Sequence, residues 1–260
     1  MNHWIKLSID YANQRSYLDD LFQVYPTIPE GIREINEDSW ADIEKAFKRK
    51  NNDALLRELL KLNLFPIKDS YIAYLKRDET SISRNPRTIN RICGRLYEMG
   101  LDKIFERCSE PKETNRQIRP MFRDWLNRKS LGLQPVGLDA FTSNNEDAIL
   151  GGSDKMLMDF AKDELNYNHP KGLDFIGRFN GKYVIGEAKF LTDFGGHQNA
   201  QFNDAISTIS TKKVKAIKIA ILDGVLYIKG NNKMFKSITE TYKNLNIMSA
   251  LVLREFLYQL

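Results

Sequence analysis

Cysteine is scarce in this sequence: Cys93 and Cys108 are the two among 260 residues. Two thiols exclude a disulfide-stapled scaffold, and their spacing fits no zinc motif. Both read as reduced core residues of a cytosolic protein. Three histidines, His3, His169 and His197, are too few and too scattered for an HNH or metallo-hydrolase centre. No apolar run approaches about 20 residues, which argues against a membrane-spanning helix. The opening Met1-Asn2-His3-Trp4-Ile5-Lys6 lacks the basic-then-apolar layout of a secretory signal, so cytoplasmic residence is expected. There is no G-x-x-x-x-G-K-[ST] loop, which argues against ATP-driven translocation by this chain. Neither a G-x-S-x-G elbow nor a cysteine-nucleophile setting occurs. Internal repeats and low-complexity tracts are also absent.

What is present is ordinary in bulk. With 42% hydrophobic and 28% charged residues, the chain can bury a proper core in one large domain or two modest ones. Its net charge of +5 is unevenly spread. Residues 81–130 hold twelve Lys/Arg against six Asp/Glu, so the remaining chain is slightly acidic. A basic segment beside a near-neutral half suits a protein that meets nucleic acid, and it equally suits a solvated helical surface.

Residues 1 to about 130 read as helical. Apolar periodicity recurs in Ile9–Val24, Trp40–Leu64 and Asp69–Leu75. Asn85-Pro86 opens a helix over Thr88–Met99 that Gly100 stops. Residues 130–145 read as a linker or a loop over a site. The character then changes. Ser153 can N-cap a helix over Asp154–Leu165, and an Asn180-Gly181 hairpin follows. A helix from about Asn199 to Thr211 leads to strands at Val214–Leu222 and Val225–Lys229, joined by a tight Asp223-Gly224 turn. Phe235–Leu245 and Ser249–Leu260 read as helices. This order predicts an α/β (α+β) fold, a mixed β-sheet flanked by helices and preceded by a helical N-terminal region. The expected division is 1–140 and 141–260.

Asp174 lies thirteen residues before Glu187, with Lys189 two residues later, in G-L-D-F-I-G-R-F-N-G-K-Y-V-I-G-E-A-K-F. Side chains alternate along a strand, so Glu187 and Lys189 share a face and Ala188 takes the other. The Asn180-Gly181 turn folds Asp174 back beside Glu187. Two converging carboxylates repel unless a cation stands between them, and hard oxygen ligands suit Mg²⁺. A neighbouring lysine can then stabilise developing negative charge or position the attacking water. The pattern predicts metal-assisted hydrolysis of a phosphodiester. Tyr183-Val184-Ile185-Gly186 is too apolar for an exposed edge, and a charged E-x-K at its end is costly unless paired or liganded.

Asp174 with Glu187-Ala188-Lys189 resembles the PD-(D/E)xK nuclease motif, best known from type II restriction endonucleases. The resemblance covers roughly residues 145–230, and Leu173 stands where the motif has proline. It implies a restriction-endonuclease-like core and a site-specific double-strand DNA endonuclease. It also implies that Asp174, Glu187 and the Ala188 carbonyl hold Mg²⁺, while Lys189 serves the water or the scissile phosphate. Cutting both strands of a symmetric site implies a homodimer. A cognate DNA methyltransferase is the implied functional partner, by analogy alone and without a stable complex. A polar residue on the helix after the E-x-K strand often supports such sites, a role open to Gln198 or Gln201. An acidic residue before the hairpin often assists the metal; Glu146, Asp147, Asp154, Asp159 and Glu164 are candidates, most of them ordinary solvated charges.

The helical region, 1–140, is expected to bind and recognise DNA and to dimerise. Arg87, Arg91 and Arg95 recur at i, i+4, i+8 on one helix face, and Arg116, Arg119 and Arg123 follow. Such a stripe tracks a phosphate backbone or reaches guanine edges, or else is a solvated face paired with Glu98 and Asp102. Two alternatives stay open. One is a repair, recombination or junction-resolving nuclease of the same superfamily. The other is a non-enzymatic helix-turn-helix-like DNA-binding protein with structural carboxylates.

Overall fold

The computed structural model describes residues 1–26, 32–111 and 118–260, and the chain divides into two compact units. Met1–Ile28 and Thr114–Leu260 form one; Pro29–Glu113 form the other. The first unit begins with α1 (His3–Ala12) and α2 (Tyr17–Val24). The second unit comprises α3 (Glu37–Lys48), α4 (Asn52–Lys61), α5 (Ile72–Arg77), α6 (Ser81–Arg84), α7 (Pro86–Met99) and α8 (Leu101–Cys108). The chain then returns to the first unit with α9 (Ile118–Asn127), α10 (Leu138–Thr142), β1 (Ala148–Ile149) and α11 (Asp154–Asp163). The hairpin β2 (Phe175–Phe179) and β3 (Lys182–Leu191), α12 (Gly196–Ser210) and β4 (Ile217–Gly224) follow, then α13 (Lys233–Lys236), β5 (Ile247–Met248) and α14 (Ala250–Tyr258).

The helical unit closes on Ile43, Leu55, Leu56, Leu59, Ile92, Leu96 and Ile104, all fully buried. The periodicity of Trp40–Leu64 is interrupted where Lys50 takes a φ of 50° and Asn51 caps α4 by accepting from the Ala54 amide. Pro86 sits in the first turn of α7, where its missing N–H costs nothing, and Gly100 ends that helix. Cys93 and Cys108 are free and buried in this core. Burial pushes their thiols up to about 11 and about 12, so neither is a reactive thiolate.

The five strands lie in the order β1-β2-β3-β4-β5. β1, β2 and β3 are antiparallel, while β3, β4 and β5 are parallel. The expected mixed sheet flanked by helices is borne out. One face packs Phe175, Phe179, Val184, Ala188, Ile219 and Ile221 against α2, α9 and α14. The other packs Ile176, Ile185, Leu191, Ala220 and Leu222 against α11, α12 and α1. Each fully buried aliphatic side chain contributes about 1.5–3 kcal/mol.

Two local expectations are corrected. Val225–Lys229 is not a strand: Val225–Tyr227 is a short 3₁₀ helix. Gly224, at φ 98°, turns the chain under Leu191, where a Cβ would stand 2.1 Å from the Leu191 carbonyl oxygen. Leu226 and Tyr227 are consecutive and both buried, which a half-exposed strand does not allow. Phe235–Leu245 is not one helix, since α13 passes into a π-helical segment over Ser237–Thr241. The compact units also differ from a division at residue 140. The apolar faces of α1, α2 and α9 cover the sheet, and periodicity alone does not reveal which layer a helix joins.

Candidate active site

Asn180 and Gly181 have φ of 49° and 71°, the paired left-handed conformation a type I′ turn requires. That turn sets the register Phe179↔Lys182 through Phe175↔Gly186. Asp174 continues the ladder by one bond, its amide donating to the Gly186 carbonyl at 2.9 Å. Its side chain folds onto the next exposed backbone group, and the Ala188 amide donates to Asp174 Oδ2 at 2.9 Å. N–H and C=O of one strand residue point the same way, so the Ala188 carbonyl also faces this side, past the end of β2.

Glu187 and Lys189 share a face as expected, with Nζ 2.6 Å from Oε1. Thr208, on α12, donates its hydroxyl to Glu187 Oε2 at 2.9 Å. Asp174 and Glu187 are each 3% exposed, which makes both charges expensive without partners. Asp174 Oδ1 faces the Arg119 guanidinium of α9 as a close ion pair and has no other partner among the described residues. Burial raises the pKa of Asp174, outweighing Arg119, the Ala188 amide and Lys189, which lower it. Arg119 also reaches Asp154 Oδ2 at 2.5 Å through Nη1, and Arg123 pairs with the other Asp154 oxygen.

Asp174, Glu187, Ala188 and Lys189 are therefore brought together. Gln198 is buried but turned to Thr192, accepting from its amide at 3.3 Å and donating to its hydroxyl at 3.0 Å. Gln201 pairs with His197 along α12 at 3.0 Å. Asp147 accepts from the Asn180 amide and so pins the hairpin turn, while Asp159 and Glu164 are exposed. Arg87, Arg91 and Arg95 lie exposed on α7; Arg91 pairs with Asp69 at 2.5 Å and Arg95 with Glu98 at 3.4 Å. Arg116 lies outside the described residues. Sequence reasoning missed Thr208 and the part Arg119 plays at Asp174. It also missed Arg178, a buried arginine on β2 whose guanidinium donates to the Phe141 and Glu146 carbonyls at 2.7 Å and lies 4.8 Å above the Phe141 ring. A single arginine in an apolar strand was the available signal.

The donor chemistry fits a hard divalent cation. Two carboxylates and one backbone carbonyl are all oxygen, and Asp174 Oδ1 is buried without a hydrogen bond. Among the described residues no group of three or more His, Cys, Asp or Glu could hold a metal. Mg²⁺ keeps several waters and needs few protein ligands. A cavity of about 90 Å³ bordered by Asp174, Arg123, Leu157 and Gly151 leaves room for a few waters beside the carboxylate.

A mixed five-stranded sheet between helical layers, with D…E-x-K on its central hairpin, is a restriction-endonuclease-like architecture. The chain belongs to the Tsp45I type II restriction enzyme family, whose model matches residues 2–260. It is a site-specific deoxyribonuclease, which bears out the expected class and sets aside the non-enzymatic DNA-binding reading. No curated protein and no solved structure matches the chain. Among the described residues no helix is long and apolar enough to cross a membrane.

Proposed function

We propose that this enzyme cuts both strands of DNA by Mg²⁺-dependent phosphodiester hydrolysis at a PD-(D/E)xK centre formed by Asp174, Glu187 and Lys189. The observation that carries this reading is the Asp174–Ala188 contact, which joins the lone aspartate to the E-x-K triplet at the end of one hairpin. Asp174, Glu187 and the Ala188 carbonyl would hold the ion. When bound, Mg²⁺ would offset the carboxylate charges and polarise a phosphoryl oxygen. Lys189 Nζ, now paired with Glu187, carries three donors able to orient the attacking water and meet charge developing on the phosphate. Thr208 fixes the second Glu187 oxygen, so that the carboxylate keeps one orientation while Lys189 changes partners.

The helical unit is the proposed DNA grip. Arg91, Arg95, Arg107 and Lys68 border a groove of about 1140 Å³ within it, and Arg87 extends the exposed face of α7. Glu98 and Glu110, which now pair with Arg95 and Arg107, are surface acids, and such pairs are weak enough to exchange for phosphates; Asp69, paired with Arg91, is more deeply set. A homodimer supplies the second centre that a symmetric duplex site needs. A cognate methyltransferase acting on the same DNA in the cytoplasm completes the reading by analogy.

The test is incubation with unmodified phage DNA and Mg²⁺, beside Glu187→Ala and Lys189→Ala. Discrete fragments are expected from the unaltered enzyme, a rate lower by about 10²–10³ from either variant, and no cutting in EDTA. A smear lost in both variants would favour a structure-guided nuclease of the same superfamily. Undiminished cutting by the variants, or in EDTA, would overturn the assignment of the centre.

A further inference from the structure

Resting on the metal-centre reading above, we propose that Arg119 is a built-in counter-cation. It holds Asp174 in the metal-free enzyme, yields it to the divalent ion, and is kept by Asp154 beside the site, where its freed edge meets a DNA phosphate.

Four observations lead there. Arg119 addresses two carboxylates with different nitrogens, Nε on Asp174 and Nη1 on Asp154. Losing one contact therefore leaves the other intact. Arg119 is the one partner that Asp174 Oδ1 has among the described residues, so a cation taking that oxygen displaces nothing else. The burial of the two ends is unequal: the Asp174 side chain is 1% exposed, whereas those of Arg119 and Asp154 are 33% and 52% exposed. The arginine can thus swing away without carrying its charge into an apolar region, while the aspartate cannot escape its need for a cation. The guanidinium also packs closely on Gly172, where a Cβ would stand 3.2 Å from Arg119 Nη2.

The charge count agrees. Asp174, Glu187 and Asp154 give three negative charges, and Arg119, Arg123 and Lys189 give three positive ones. The linked pairs are neutral as they stand. A divalent ion entering this set leaves two positive charges in excess, which an incoming DNA backbone would neutralise. Metal and arginine compete for one oxygen before DNA arrives, and become allies once a phosphate lies between them.

The test is Mn²⁺ binding without DNA, followed by the electron paramagnetic resonance signal of free Mn²⁺, for the unaltered protein, Arg119→Gln, Gly172→Ala and Asp174→Asn. Arg119→Gln should bind Mn²⁺ about tenfold more tightly. It should also melt lower without metal and recover more on adding it. Gly172→Ala keeps every charge and obliges Arg119 Nη2 to give by a few tenths of an ångström, so it should tighten binding in the same direction but by less. It also serves as the second variant should Arg119→Gln fold poorly. Asp174→Asn should abolish binding. If both altered proteins bind Mn²⁺ no more tightly than the unaltered one while Asp174→Asn loses it, the counter-cation role is overturned and the metal centre stands. If Asp174→Asn binds Mn²⁺ normally, both readings fall.

Discussion

Replacing Asp223 with asparagine isolates one buried charge and gives it a measurable pH signature. Asp223 closes β4 on the face opposite Glu187 and is 0% exposed. Its Oδ2 accepts from the Tyr25 hydroxyl and the Ala250 amide, both at 3.1 Å, and its Oδ1 accepts from the Ser249 hydroxyl. Burial raises its pKa from 3.8 to about 6, although all three donors lower it. The folded carboxyl therefore holds its proton more tightly than the unfolded one. Across that window the native state carries the extra proton, and stability falls as pH rises. Two pH units at about 1.4 kcal/mol each put the loss at about 3 kcal/mol between roughly pH 4 and pH 6. Asparagine cannot ionise, and it can keep the geometry by accepting at the Oδ2 position and donating to the Ser249 oxygen. Urea unfolding at stepped pH, in a Trp40→Phe background so that Trp4 and Trp125 report on the sheet unit, gives both stabilities. The difference, unaltered minus Asp223→Asn, should drop by about 3 kcal/mol across the window. Subtraction cancels other titrating groups, Asp174 among them. A flat difference would refute the argument that burial outweighs the three hydrogen bonds.

Other outcomes follow from the same geometry. Thr208→Val leaves Glu187 Oε2 buried without its donor, which should cost about 1–3 kcal/mol in thermal unfolding and slow cleavage about tenfold. Arg178→Met abandons the carbonyls of Phe141 and Glu146, and a loss of about 2–4 kcal/mol is expected, seen also as faster proteolysis near residues 141–146. Neutralising Arg87, Arg91 and Arg95 together should weaken DNA binding and flatten its slope against log salt by about 2–3, measured by fluorescence anisotropy, if all three meet phosphates.

Much of the site is legible in the sequence because its rules are local. An Asn-Gly pair dictates the turn, the turn dictates register, and a period of two sets which side chains share a face. Asp174 and Glu187-Ala188-Lys189 come together through those three steps alone. Arg119 and Thr208 do not, because each reaches the carboxylates from a helix packed against the sheet, and helix placement is a tertiary fact. Periodicity identifies that α9 has an apolar face, with Phe122 and Leu126 buried, but not which layer it covers or which strand end its first turn meets. The two-residue strands β1 and β5 escape for a different reason. They are shorter than any alternation can reveal, and they exist because β2 and β4 offer them free edges. In the run after Gly224 the residue types suit a strand, but a positive φ and burial of consecutive side chains override them.

The packing of α1 has a consequence for when this enzyme comes into being. Asn2 donates its amide to the Lys243 carbonyl at 2.6 Å and its side chain to Asn246, 244 positions along the chain. Ser8 accepts from the Ser249 amide at 2.9 Å, and Trp4 lies edge-on against Phe256. A helix synthesised well before the sheet can thus make these contacts only after residues 243–256 exist. Closing so long a loop adds only logarithmically to the entropy cost. A nascent chain that has already made the E-x-K strand still lacks β4, β5 and α14, and with them the layers that hold that strand flat. For an enzyme that cuts DNA, completion of the proposed site is thereby tied to synthesis of those later elements.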